Sequence, residues 1–113
     1  MASKYVKVNA DGTTTVTFKK PHKYNEKEYT SITLRSEANL EDIEAMEKAA
    51  DGAKMDAGIR LAASLSAGID GFGMPYQAIR KLPLSDILRI VAAASKSVKI
   101  DTEEDEDEGK KSP

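Results

Sequence analysis

The chain has no cysteine and no tryptophan among its 113 residues, and aromatic residues make up only 5% of it. Without cysteine there is no disulfide framework, no thiol chemistry and no cysteine-based zinc site. No apolar run approaches the roughly 18–20 residues that a membrane span needs, and the N-terminal residues lack the apolar centre of a signal peptide. We therefore expect a soluble, cytosolic protein with a mainly aliphatic core and no membrane partner.

Charge is distributed unevenly along the chain. The whole sequence carries a formal net charge of −2, but residues 101–113 hold seven acidic residues and two lysines. That segment has a net charge of −5, which leaves +3 for residues 1–100. A nucleic-acid binder would show a dense lysine and arginine stripe, and none is present. Because a block of like charges repels itself, the sequence predicts one domain over residues 1–100 and a disordered acidic tail over residues 101–113.

The first 35 residues are typical of β-structure. Val16 and Phe18 share one face of a run rich in β-branched residues, and Pro21 is predicted to end that run. A polar turn follows, with Asn25 as its left-handed residue. The next strand covers residues 29–35. Together with the first alternating residues, this pattern predicts an antiparallel hairpin or a three-stranded meander over residues 4–35.

Helical periodicity replaces the alternation after Asn39, which is a good N-cap. Helices are predicted from Asn39 to Asp51-Gly52, over residues 53–67, over a short turn at 75–81, and from near "LPLSD" onwards, with Pro83 as the first position. The fold class is therefore α+β, with three to four helices after the sheet. The apolar stripes predicted to face the core contain Leu40, Ile43, Met46, Ala50, Met55, Ile59, Ala62, Leu65, Ile69, Leu84, Ile87, Leu88, Val91, Ala94 and Val98.

No catalytic or metal-binding pattern is visible in the sequence. His22, the single histidine, follows a proline in a lysine-rich turn and is interpreted as a surface residue without function. The glycines of "AGIDGFG" lack the lysine and hydroxyl residue of a phosphate loop, so this stretch is interpreted as a connection between helices. Arg35 stands where the strand pattern ends. It either forms a salt bridge or partner contact there or stands in water, and the second interpretation is favoured.

Three residues are candidates for partner binding. Met46 and Met74 lie on or beside apolar stripes, and methionine suits surfaces that receive varied apolar partners. Ordinary core filling is the favoured alternative for both. Ile90 is a candidate because it lies off the centre of the stripe predicted for the last helix.

Two passages carry a resemblance to a known family. Residues 16–35 form a strand ending in proline, a polar turn and an alternating strand ending in Leu-Arg, and residues 82–95 place Leu-Pro and an aspartate before an apolar helix. In order and spacing they resemble the phage tail assembly chaperones of the Mu-like and P2-like type. Members often have proline soon after the arginine and Gly-Asp at the helix entry. Here residues 36–39 replace the proline, and Glu41-Asp42 stands at the entry.

The resemblance implies a role without catalysis or cofactors in the host bacterial cytoplasm. Such proteins are thought to coat the tape measure protein, a long and largely helical chain with apolar stretches, until tail tube subunits replace them. Tail tube protein, further copies of the chain and a longer frameshifted form of it are the other expected partners. Lys110-Lys111 is then the expected frameshift position, and this chain is the short product, absent from the mature virion.

Other functions remain open from the sequence. The chain could be a structural minor tail protein retained in the virion. It could also be a small regulatory or nucleic-acid-associated protein whose acidic tail competes for basic surfaces, although no basic stripe supports this. An enzyme is disfavoured because no catalytic constellation is present.

Overall fold

The computed structural model describes the backbone of residues 4–69 and 73–110, with side chains up to residue 98. Three strands precede four helices along the chain. The elements are β1 (Val6–Val8), β2 (Thr14–Tyr24), β3 (Lys27–Leu34), α1 (Leu40–Met46), α2 (Lys54–Ser66), α3 (Tyr76–Arg80) and α4 (Leu84–Lys110). This order confirms the α+β class and the placement of the helices after the sheet.

The sheet is an antiparallel meander with strand order β1-β2-β3. Val16 at its centre pairs with Val6 on one side and with Ile32 on the other. The turn between β2 and β3 consists of Asn25 and Glu26, whose φ angles are 52° and 66°. Two consecutive positive φ angles are typical of a type I′ turn, which matches the twist of the paired strands. The left-handed conformation predicted for Asn25 is confirmed.

Strand β2 does not end at Pro21, so that prediction was wrong. The strand continues to Tyr24, and its register against β3 shifts between Thr17 and His22. The pairs of β1 with β2 extend no further along β2 than Val16. Beyond Thr17, β2 is therefore an edge strand, where proline is tolerated because its missing N–H interrupts no ladder.

The core lies between one face of the sheet and helices α2, α3 and α4. Val16, Ile32 and Leu34 are buried on the sheet side. Helices α2 and α4 cross closely at Gly58, where an added Cβ would lie 2.5 Å from the Cγ1 of Val91. Only a residue without a side chain fits there, so Gly58 sets the distance between these two helices.

The inward face of α4 differs from the predicted stripe. The buried residues at spacings of three and four are Ile87, Ile90, Ala94 and Ser97. Leu84 and Leu88 are exposed instead, at 63% and 48%. The predicted stripe was displaced because it was drawn from apolar residues alone and so left out Ser97, which is polar but buried. The hydroxyl of Ser97 donates to the carbonyl of Ala94 at 2.7 Å.

Helix α4 extends to Lys110, ten residues beyond the boundary at 100 that the charge pattern indicates. The helical backbone therefore enters the acidic segment, where a disordered chain was expected. The division into a domain over residues 1–100 and a tail over residues 101–113 stays a prediction. Residues 111–113 lie outside the described part, so Lys111 of the expected frameshift position does too.

Candidate partner-binding surface

Arg35 joins the sheet to two helices directly after β3. Its Nη1 and Nη2 donate to the two carboxylate oxygens of Asp42 at 2.9 and 2.8 Å. Nη2 also donates to the backbone carbonyl of Ser64 at 2.9 Å. The backbone N–H of Arg35 donates to the carbonyl of Leu65 at 3.3 Å. The guanidinium thus makes three hydrogen bonds, and the favoured interpretation of a charge standing in water was wrong.

Asp42 is the buried half of this ion pair, with 0% of its surface exposed. It completes a capping box, because its Oδ2 accepts from the N–H of Asn39 at 2.8 Å while its own N–H donates to the Asn39 side chain. The hydroxyl of Ser64 donates to its Oδ1. Burial alone would raise the pKa of Asp42, but hydrogen bonds from Arg35, Ser64 and the N–H of Asn39 lower it below the usual range.

The Arg35–Asp42 pair has a structural role. The carboxylate oxygens are occupied by donors, and the arginine is bound in a fork-to-fork arrangement that fixes its geometry. Neither group is available as a general base or as an anion site. The sequence carries a signal for the capping box, an aspartate three residues after an N-cap asparagine. It does not show that Arg35 and Ser64 lie alongside that aspartate.

A second ionic cluster joins α2 to α3. Arg60 donates from Nε to Asp56 at 2.7 Å, and its guanidinium lies 4.4 Å from the centre of the Tyr76 ring. The hydroxyl of Tyr76 donates to the other oxygen of Asp56. Hydrogen bonds from Arg60 and then from Tyr76 lower the pKa of Asp56. This cluster is half-exposed and holds the short helix α3 against α2.

A third pair lies at the start of α4. Asp86, which is 1% exposed, accepts from Arg89 Nη1 at 2.8 Å, and the Arg89 guanidinium lies 4.5 Å from the ring centre of Tyr5. The aspartate in the first turn also complements the helix dipole. In each of the three pairs an arginine is therefore engaged in holding elements together.

The structure places the three predicted partner-binding residues in different surroundings. Ile90 is 0% exposed and Met74 is 3% exposed, so both belong to the core. The placement of Ile90 off the inward stripe is corrected, because the face that packs inward on α4 is centred near it. Met46 is half-buried at the end of α1. Of the three, only Met46 reaches the surface in the folded protein, and whether any of them binds a partner stays a prediction.

Met46 lies in an open groove between α1 and α2 with a volume of about 290 Å³. Four of its nine lining residues are alanine, with Glu47 and Asp51 as its acidic groups and Lys54 as its basic group. The lining residues are Met46, Glu47, Ala49, Ala50, Asp51, Gly52, Ala53, Lys54 and Ala57. The groove is therefore open and is lined by both small apolar and charged side chains.

Two large apolar side chains that face water on α4 form a second candidate surface. Leu84 and Leu88 lie one turn apart on the same side of α4. Met55 on α2 is 40% exposed, and both Leu40 and Val8 are exposed as well. The sequence pattern assigned Leu40, Met55, Leu84 and Leu88 to the core, so all four are corrected. Their spacing was a valid helical signal, but spacing alone does not say which face the other helices cover.

Within residues 4–69 and 73–98, no group of three or more histidine, aspartate or glutamate side chains could hold a metal ion. His22 lies in β2 opposite Tyr29, and its Nε2 is buried without a hydrogen-bond partner among the described residues. The interpretation of His22 as a surface-turn residue was therefore wrong, because β2 continues past Pro21. Among the described helices, none combines the length and the hydropathy needed to cross a membrane.

A family model described as "Phage tail assembly chaperone proteins, E, or 41 or 14" matches residues 15–99. The chain belongs to this phage tail assembly chaperone family. The match includes both passages that carried the resemblance, residues 16–35 and 82–95, and runs from β2 into α4. No curated protein and no solved structure matches the chain.

The junction at Arg35 lies within the part of this tail assembly chaperone that the family model matches. The Leu-Arg that closes β3 belongs to one of the two passages that carry the resemblance. Its Arg35 binds Asp42, which stands at the helix entry where members often have Gly-Asp. The match itself establishes the chaperone family, and it does not indicate which surface meets a partner.

Proposed function

We propose that this tail assembly chaperone binds the tape measure protein and keeps it soluble until the tail tube forms around it. The observation that supports the proposal most directly is the pair Leu84 and Leu88, exposed one turn apart on α4 of a family member. Leucines at this spacing are typical anchors for an amphipathic helical partner. Apolar side chains exposed together in a water-soluble chain also mark interaction surfaces.

The strength of this contact suits a partner that must be released. Burying a leucine fully contributes about 1.5–3 kcal/mol, and association costs several kcal/mol in lost freedom. Two leucines, already about half covered, therefore give each copy a weak contact. Tube subunits can displace a contact of this kind, whereas a large apolar interface would resist displacement.

Co-expression with the tape measure protein tests the proposal. The variant Leu84→Ser/Leu88→Ser should fold as the wild type does but leave most of the tape measure protein in the insoluble fraction. The matched control is Leu40→Ser, which removes a leucine that is 71% exposed on α1. If the wild-type chain itself does not raise the soluble fraction, the proposed function is wrong. If Leu84→Ser/Leu88→Ser keeps the tape measure protein as soluble as the wild type does, the surface is wrong and the function stands.

Ile90→Asp does not serve as the test of a binding surface. Because Ile90 is fully buried, a charge there would unfold the domain and abolish every activity together. The serine variants avoid this problem because their positions already face water.

The cellular setting is part of the same proposal. We infer a non-enzymatic protein of the host bacterial cytoplasm that is the short product of a frameshifted gene and is absent from the virion. Mass spectrometry of purified particles separates this from a structural minor tail protein, which would be present in them. The codons for Lys110-Lys111 decide the frameshift, because a slippery heptamer must be present there.

A further inference from the structure

We propose that a polar pocket on the outer face of the sheet binds a primary carboxamide, presented by a glutamine or asparagine side chain of a partner protein. This outer pocket has a volume of about 410 Å³. It shares no lining residue with the groove that contains Met46, and neither Leu84 nor Leu88 lines it. The site is therefore separate from both surfaces described above and does not depend on the proposed function. Its lining residues are Asn9, Asp11, Thr13, Thr15, Thr33, Arg35 and Ile69.

The outer pocket covers a polar residue on the side of the sheet that faces away from the core. Side chains alternate along β3, so Ile32 and Leu34 enter the core and Thr33 points to the opposite face. Thr33 is nevertheless only 7% exposed. Six of the seven lining residues are polar or charged, with Ile69 as the exception, so the pocket is a hydrogen-bonding site and not unfilled core.

A chain of hydrogen bonds holds the polar side chains of the outer pocket in place. The Nδ2 of Asn9 donates to the hydroxyls of Thr13 and Thr15 at 3.0 and 2.9 Å. The hydroxyl of Thr13 donates in turn to the Oδ1 of Asp11 at 2.7 Å. The Oγ1 atoms of Thr15 and Thr33 lie 3.0 Å apart, directly across the two strands. Because the site is already ordered, binding there costs little side-chain freedom.

Donors and acceptors remain after these bonds are counted. Thr15 and Thr33 have two hydroxyl hydrogens, and the bond between them uses one, so one hydrogen is left to donate. The Nε of Arg35 donates to none of the described residues, because the three hydrogen bonds of its guanidinium come from Nη1 and Nη2. The Oδ1 of Asn9 accepts from no residue in the described part of the chain. The pocket therefore offers at least two donors and one acceptor.

The charges around the outer pocket cancel. Arg35 is paired with the buried carboxylate of Asp42. Lys7 lies opposite Thr15 in β1, on the same face of the sheet, and balances Asp11 in the turn between β1 and β2. Because an ion would enter this site without a counter-charge, the pocket suits a neutral ligand that both accepts and donates hydrogen bonds.

A primary carboxamide has this combination of groups, with a carbonyl oxygen that accepts and an NH₂ that donates. Its oxygen would accept from the Thr15–Thr33 hydroxyl pair and from the Nε of Arg35, and its NH₂ would donate to the Oδ1 of Asn9. Glutamine and asparagine carry the group at the end of a side chain, so it can enter the pocket while the partner's backbone stays outside. A few neutral hydrogen bonds give a weak contact, with an expected Kd of about 1–10 mM.

Nuclear magnetic resonance of the full-length, ¹⁵N-labelled protein tests the proposal. The probe is N-acetyl-glutamine N-methylamide, which has one primary amide and no charge. Adding it to about 50 mM should shift the amide signals of residues 9–15 and 33–35 with a Kd of about 1–10 mM. The matched control ligand, N-acetyl-leucine N-methylamide, has an apolar side chain of similar size and should leave these signals in place. Equal shifts with both ligands, or none with the glutamine probe, would overturn the proposal.

Free L-glutamine and acetate separate a partner's side chain from a charged small molecule. L-Glutamine has the same side-chain amide together with an ammonium and a carboxylate, whereas acetate has a carboxylate alone. Both should bind more weakly than the capped probe, because the pocket has no net charge to offer them. If either of them binds more tightly than the probe, the ligand is a small ion or zwitterion and the proposal is wrong.

Two variants identify the residues that bind the probe. Thr15→Val/Thr33→Val removes the hydroxyl pair and keeps the shape of both side chains, and Asn9→Ala removes the acceptor. Each should weaken binding about tenfold, the effect of one lost hydrogen bond.

The matched control variant changes the neighbouring cross-strand pair. Thr17→Val/Ser31→Ala also removes two hydroxyls from the same face of the sheet, but neither residue lines the pocket, so the Kd should not change. The dispersion of the amide signals shows that each variant is folded. A folded Thr15→Val/Thr33→Val or Asn9→Ala that binds the probe as tightly as the wild type would refute the assignment of the pocket.

Discussion

The ion pair between Arg35 and Asp42 should hold the sheet and the helices in one cooperative unit, and a double-mutant cycle measures this directly. The three variants are Arg35→Ala, Asp42→Ala and the combination of both. Each single change removes one partner of a pair in which the carboxylate is fully buried. The combined change removes both, so no uncompensated charge remains in the interior.

The expected magnitudes follow from the contacts. Asp42→Ala loses the cap of α1, which is worth about 1 kcal/mol, and buried hydrogen bonds to a charged group, worth about 1.5–3 kcal/mol. We expect a loss of about 3 kcal/mol in the free energy of unfolding. Arg35→Ala leaves the carboxylate buried without its cation, which costs about 3–5 kcal/mol in a fully buried pair. Since the side chain of Arg35 is 34% exposed, we expect the lower end of that range.

Urea unfolding of the four proteins gives the coupling energy between the two residues. The double variant should be less destabilised than the sum of the single variants by about 2 kcal/mol, which is typical of residues in one network. The matched cycle is Asp56→Ala with Arg60→Ala, a half-exposed pair for which about 0.5 kcal/mol is expected. If the effects at Arg35 and Asp42 add to within about 0.5 kcal/mol, the two residues act independently and the network has no role in stability.

Three further predictions concern the same fold. Gly58→Ala should lower the free energy of unfolding by about 1–2 kcal/mol, because the added Cβ would collide with Val91. This net loss already includes a helix-propensity gain of about 1 kcal/mol. In a thermal melt, Gly58→Ala/Val91→Ala should recover most of the lost stability. Because the pKa of Asp42 is lowered by folding, its contribution is present above the unfolded value of about 3.9 and is lost as pH falls below it. The stability difference between the wild type and Asp42→Asn, followed by urea unfolding, should therefore narrow below about pH 4. Ile90→Asp should lower the free energy of unfolding by more than about 4 kcal/mol and show no cooperative transition by circular dichroism. A decrease below about 1 kcal/mol would mean that α4 does not pack as described.

Local signals predicted the element order well. The cap at Asn39 and the turn at Asn25 both act within a few residues of the chain. The stop predicted at Asp51-Gly52 was wrong for α1, which already ends at Met46. Such signals do not depend on what the segment packs against. The boundaries of α2 and α3 accordingly fell within one or two residues of those expected from the pattern.

The candidate surface depended on tertiary packing, which the sequence pattern does not contain. An apolar residue on a helix is buried only if another element covers it, and α4 is covered on the face centred near Ile90 and Ala94. Leu84 and Leu88 are therefore exposed, although their spacing is that of one helical turn. Arg35 shows the reverse case, because a residue that looked like a solvent charge found Asp42 and Ser64 across seven and 29 positions of sequence.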